Sequence, residues 1–128
     1  MVKNGLLLFG GIFVVVGILG FVLGSPLFGI FAVDTLHNII HLVSGLVFLV
    51  VALFLADSAK MTAKIFGIVY AIVALLGLVV PGDMIFGLIH ANLWDDLLHV
   101  ALSAALLYIG FSGSSESKVH VEPAVDAL

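Results

Sequence analysis

The run GLLLFGGIFVVVGILGFVL at residues 5–23 is 19 residues long and carries no charge. At about 1.5 Å of rise per residue, a helix of this length comes close to crossing the roughly 30 Å hydrocarbon core of a bilayer. A secretory leader has an apolar stretch of only about 7 to 15 residues, so the run predicts a retained membrane helix. Three further apolar segments match it, at residues 36–56, 61–80 and 93–111, separated by residues 24–35, 57–60 and 81–92. The expected architecture is therefore all-α, an integral membrane four-helix bundle spanning residues 1–111. Residues 112–128 are rich in Ser and carry Glu116, Lys118 and Glu122, which predicts a mobile polar tail.

Composition supports the same solvent. The chain of 128 residues is 63% hydrophobic and 9% charged, with a mean hydropathy of +1.39, against roughly half apolar and a quarter charged in a soluble domain. A soluble fold of this size cannot bury so much apolar side chain, whereas lipid can face it. Cysteine is absent, which removes disulfides, thiolate metal sites and thiol nucleophiles. Net charge is −4, with no Arg and only Lys3, Lys60, Lys64 and Lys118, so no basic surface exists for a nucleic acid. Those four Lys all fall on one side of a four-span chain, and the positive-inside rule makes that side cytoplasmic, which predicts a multi-pass protein of the cell membrane with both termini in the cytoplasm. The expected partners are the lipid bilayer and, beyond it, a second copy or other membrane proteins.

The two halves of the chain repeat one another. Phe28-Gly29-Ile30 returns as Phe86-Gly87-Leu88, Asp34 as Asn92 and His41 as His99, each 58 positions later. At a spacing of 57, Phe9-Gly10 falls on Phe66-Gly67, Phe13 on Tyr70 and Gly20 on Gly77. Asp, Asn and His are scarce in these segments, which gives the polar matches their weight. Each copy holds two spans, so two tandem helical hairpins enter the membrane in the same direction, related by a pseudo-two-fold axis along the membrane normal. Helices 2 and 4 then run parallel, and the polar residues at their starts gather at one end of the bundle.

The stretch FGIFAVDTLHNIIHLVSG at residues 28–45, followed by KIFGIVYAIVALLGLV at 64–79 and a second D-x-L-H at 96–99, resembles the family called domain of unknown function 4383. The resemblance runs from residue 5 to residue 111 and is most specific in the LHNIIHL element. It implies a small four-span membrane protein of prokaryotic type, and no catalytic residue comes with it.

Asp34 and Asn92 stand just before apolar helices, where a short oxygen-bearing side chain caps the free N–H groups of the first turn. Asp95, three residues after Asn92, is placed to reach back in a capping box. His41 and His99 are about seven residues beyond their caps, roughly 10 Å into the membrane, where an imidazole turns inward and pairs. His37 lies one turn above His41 on the same face, and its repeat equivalent is Asp95. Three readings fit these residues. The first is a non-enzymatic polar cluster, His37 with Asp95 above His41 with His99, joining helices 2 and 4. The second is a metal site using His37, His41, His99 and Asp95 or Asp34, or a haem held between His41 and His99 with Gly45 and Ser103 making room for it. The third is passage of a small ion or a proton, for which helices 2 and 4 offer only Ser44, Ser103 and Tyr108 between the histidines and the cytoplasmic end, and helix 3 offers Tyr70. His90 and His120 fall outside the spans and receive no role, and no nucleophile with an oxyanion-hole motif is visible.

Small residues predict close helix contacts at Gly20 and Gly24, at Ala63, Gly67 and Ala71, and at Ala101 and Ala105. The apolar loop segments 27–31 and 85–89 are too short to span and are expected to lie along the interface over the bundle.

Overall fold

The computed structural model describes residues 1–112. The tail expected beyond the last helix lies, from residue 113 onward, outside the described residues. Four helices follow in order, α1 (Val2–Leu23), α2 (Thr35–Phe54), α3 (Ala59–Val79) and α4 (Leu93–Phe111), with a 3-10 turn at Ala56–Ser58. All four are long and apolar enough to cross a membrane. Their outer faces carry large apolar residues such as Leu8, Val15, Leu46, Leu53, Ile72 and Leu75, all exposed, a surface that suits lipid and not water. Helix α2 stops two residues short of its expected end because the chain tightens into the 3-10 turn that starts α3.

Each hairpin is closely packed, α1 on α2 and α3 on α4, whereas α2 and α4 are not a closely packed pair. Glycine explains the close pairs. A Cβ on Gly10 would sit 3.0 Å from the carbonyl oxygen of Gly45, and one on Gly45 would sit 2.8 Å from the backbone nitrogen of Val14, so these backbones touch. Gly67 and Gly110 do the same between α3 and α4, against Leu107 and Lys64. The expected stripe on α3 runs through Ala63, Gly67 and Ala74, with Ala71 only half-buried. On α1 it runs through Gly10, Gly17 and Gly20, while Gly24 ends the helix and meets nothing. On α4, Ala101 is exposed and Ala105 half-buried, so the contact face there is Leu102, Ser103, Leu106 and Gly110.

The duplication is visible in three dimensions. Gly10 faces Leu49 as Gly67 faces Leu107, and Gly20 faces Asn38 as Gly77 faces Asp96. The loops repeat as well. Phe28 and Gly29 have φ of 54° and 74°, Phe86 and Gly87 have 52° and 69°, and each pair turns a tight hairpin closed by Leu27 with Phe31 or Ile85 with Ile89. These short hairpins bury Leu27 and Ile85, at 1% and 6% exposure, and project Phe28 and Phe86 outward at 60% and 70%. Below the loops the bundle is filled by Phe13, Phe48, Tyr70, Leu6 and Leu106, with Phe66 packed against them.

Leucine at position 67 would have to displace Leu107 and press on its backbone nitrogen, whereas a Cβ on Gly11 meets nothing within 4 Å. Gly67→Leu is expected to cost about 1 to 3 kcal/mol through overpacking, and Gly11→Ala to leave the thermal melt in detergent unchanged or raised. Equal melting of the two variants would show that α3 and α4 do not touch at Gly67.

Candidate functional site

The end of the bundle that carries the two long loops is tied together by carboxylates. Asp34 caps α2 by accepting from the backbone N–H of His37 at 2.7 Å, and its second oxygen accepts from the N–H of His90, in the opposite loop, at 2.6 Å. Asp95 forms a capping box with Asn92 at the start of α4, and the same Oδ2 accepts from the N–H of Ala32, in the first loop, at 2.9 Å. Asn92 adds a bond from its Nδ2 to the carbonyl of Ile30 at 2.8 Å. Each hairpin therefore holds the loop of the other. Burial acts to raise the carboxyl of Asp34, but the N–H groups of His37 and His90 and the nearby His37 imidazole hold it below the usual aspartate value.

His37 takes part in the same exchange. Its Nδ1 lies 2.9 Å from the carbonyl oxygen of His90. A carbonyl only accepts, so Nδ1 is the donor in this contact and Nε2 is the ring nitrogen left for other partners. The expected His37–Asp95 bond is not made. Asp95 spends its carboxylate on two backbone N–H groups, and His37 finds a backbone carbonyl instead.

His41 and His99 project between α2 and α4, where the backbones stay apart. Ring centroids are 4.7 Å apart for His37 and His41, 5.8 Å for His37 and His99 and 6.3 Å for His41 and His99. One nitrogen from each of the three rings lies within 4.8 Å of the others, and all three residues are buried. Asp95 and Asp34 are not in this group. His41 Nε2 and His99 Nδ1 have no hydrogen-bond partner.

Both deep rings are held by stacking. Phe13 lies over His41 at 5.0 Å and 12°, and Tyr70 over His99 at 5.5 Å and 14°. The two stacks are repeat equivalents. The Tyr70 hydroxyl donates to Ser44 Oγ at 3.0 Å, which fixes the ring that supports His99. The repeat aligns Phe13 with Tyr70 in the sequence, but they precede His41 and His99 by 28 and 29 residues, so the stacking itself is not legible there. A cavity of about 150 Å³ opens beside the three rings, bordered by Ser44, Tyr70 and Ala91. It falls below the roughly 300 to 1,000 Å³ of sites for organic ligands and suits an ion with water; a second cavity, of about 280 Å³, borders His41 and His99 between Phe13, Leu98 and Leu102. The two small residues expected to admit haem are used otherwise. Gly45 packs on the backbone of α1, and Ser103 bonds to the carbonyl of Val100 at 2.9 Å.

A sequence model of one family, described as Domain of unknown function (DUF4383), matches residues 3–112. The chain belongs to this family. The match begins in α1 and ends one residue past α4, so the unit that defines DUF4383 is the pair of hairpins and not a single one. No curated protein and no solved structure matches the chain.

Removing the Asp34 carboxylate takes away a helix cap and leaves the His90 N–H without its acceptor. Asp34→Ala is expected to cost about 1 to 2 kcal/mol, and Asp34→Asn less. Because the folded carboxyl titrates below the ordinary value of 3.8, its contribution is complete above that pH and is lost as pH falls through the lower folded value. The difference between wild type and Asp34→Asn in thermal melts should therefore be constant from pH 7 to about pH 5 and shrink in more acid solution. A difference that grows on acidification would contradict the assignment.

Proposed function

We propose that this DUF4383 protein binds one transition-metal ion, zinc or copper, inside the membrane through the imidazoles of His37, His41 and His99. The observation that carries the reading is the pair of buried, unpartnered nitrogens on His41 and His99, next to a third ring whose proton is held by a carbonyl. Each unpaired polar atom costs about 1 to 3 kcal/mol, a cost that a coordinated ion removes. Imidazole suits zinc and copper, and the backbone carbonyl on the remote nitrogen of His37 is the usual way a ligand ring is oriented. Tetrahedral bonds of about 2.1 Å put ligand nitrogens about 3.4 Å apart. Binding would require the rings to turn so that the present spacing of up to 4.8 Å closes to that value. The 150 Å³ cavity leaves room for a water as fourth ligand.

A purely structural cluster fits less well, since the nitrogens that would join α2 to α4 make no hydrogen bond. Passage through the bundle also finds little support. Leu6, Phe48 and Leu106 fill the axis beneath the histidines and are fully buried, and among the described residues no polar chain continues past Ser44 and Tyr70.

Metal analysis of protein purified in detergent and dialysed against zinc or copper should return one ion per chain. His41→Gln and His99→Gln should each abolish uptake with helix content unchanged. Wild type without bound metal, or uptake that survives both substitutions, rules the site out. Should the histidines act only as structural contacts, His41→Gln would keep the thermal melt of wild type and His41→Leu alone would lower it.

The placement of all four Lys supports a cell-membrane orientation with both termini and the 3-10 turn in the cytoplasm, and the metal site near the outer face. Cysteine introduced at Leu88 should react with an impermeant thiol reagent on intact cells, and cysteine at Ser58 only after permeabilisation. The reverse pattern inverts the topology.

A further inference from the structure

The two hairpins differ where the first helix of each meets its loop, and the differences all add negative charge or free oxygen to the second copy. In the first copy the end of α1 is closed, with the N–H of Gly24 donating to the carbonyl of Gly20 at 3.1 Å. Between Val80, the counterpart of Leu23, and Gly82, which shares the positive φ of Gly24, the second copy holds an extra residue, Pro81, which has no N–H. The carbonyl of Gly77 therefore has no donor from position 81, and among the described residues no hydrogen bond reaches it. The next two differences are side chains. Asn38, packed on Gly20, becomes Asp96, packed on Gly77, and Ser25 becomes Asp83.

Asp96 is only 3% exposed, and its Oδ1 has no hydrogen-bond partner. It borders a cavity of about 290 Å³ together with Asp83, Gly77, Leu78, Pro81 and Gly82. A helix C-terminus carries partial negative charge on its free carbonyls, so this cavity combines two carboxylates with the negative end of α3. No Lys or Arg lies in this loop to balance them.

We propose that Asp96 and Asp83, with the carbonyls that end α3, form a second site, for a hard divalent cation of the calcium class. Oxygen-only ligands on an irregular loop suit the flexible coordination of calcium better than the strict octahedron of magnesium. The site is distinct from the three histidines, although Ala91 borders both cavities and is the partition between them. It does not depend on the metal reading above.

The test uses full-length protein in detergent, stripped with a chelator and titrated with calcium chloride by calorimetry. Terbium serves as a luminescent stand-in, excited through Trp94, two residues before Asp96. One saturable site per chain is expected. Asp96→Asn installs the amide that already occupies the equivalent place as Asn38, so the fold should hold while calcium affinity falls at least about tenfold. Asp83→Ser copies the first hairpin in the same way and should weaken binding as well. The His41→Gln, His99→Gln double variant, which empties the histidine site, should bind calcium as wild type does. No saturable binding by wild type, or equal binding by the Asp96→Asn, Asp83→Ser double variant, overturns the proposal and leaves Asp96 as a complement to the α4 N-terminus only.

Discussion

Hydrocarbon offers no hydrogen-bond partner, and most of the buried polar groups among the described residues are placed in answer to that. The backbone closes on itself in four helices, the only open-chain arrangement that satisfies its N–H and C=O groups within a bilayer. What the helices cannot satisfy is collected at one end. The free N–H groups at the starts of α2 and α4 and the strand-like loops above them are met by Asp34, Asp95 and Asn92. Because each side chain reaches into the opposite hairpin, capping and docking are one set of bonds. The carboxylates that a local reading assigns to helix ends are also the fasteners between the two copies.

Against that background the histidine nitrogens stand out. Almost every other buried side-chain polar atom at this end has a protein partner, while His41 Nε2, His99 Nδ1 and Asp96 Oδ1 do not. The exceptions fall into two groups on either side of Ala91, one made of nitrogen and one of oxygen. Soft-to-intermediate metal ions prefer the first kind of donor and hard cations the second. The duplication shows how such a pair arises. His41 and His99 are common to both copies of the repeat, whereas Asp96, Asp83 and Pro81 are positions at which the two copies differ.

The fold was legible in sequence to a large degree because its causes are local. Hydropathy over about 20 residues located all four helices, and α4 has the bounds read for it, residues 93–111. The 58-residue spacing marked His41 and His99 as equivalents, and the three-residue offset from Asn92 to Asp95 announced the capping box. The reading faltered where partners come from distant backbone. It paired His37 with Asp95 side chain to side chain, because a sequence displays side chains and not the N–H of Ala32 or the carbonyl of His90 that those groups meet. It places a polar cluster between helices 2 and 4, and does not name Gly10 and Gly17 as the residues that draw α1 onto α2.

Sequence by itself determined the solvent, the number of spans, the repeat and the residues that gather at the loop end, since each follows from the free energy of placing a side chain in lipid or at a helix terminus. Tertiary structure decided which atoms remain unpaired. Three imidazoles converge to within 4.8 Å because Phe13 and Tyr70 stack on two of them and a carbonyl of the opposite loop turns the third. That convergence depends on the angle at which two hairpins dock, a sum over many weak contacts that no local window of sequence contains.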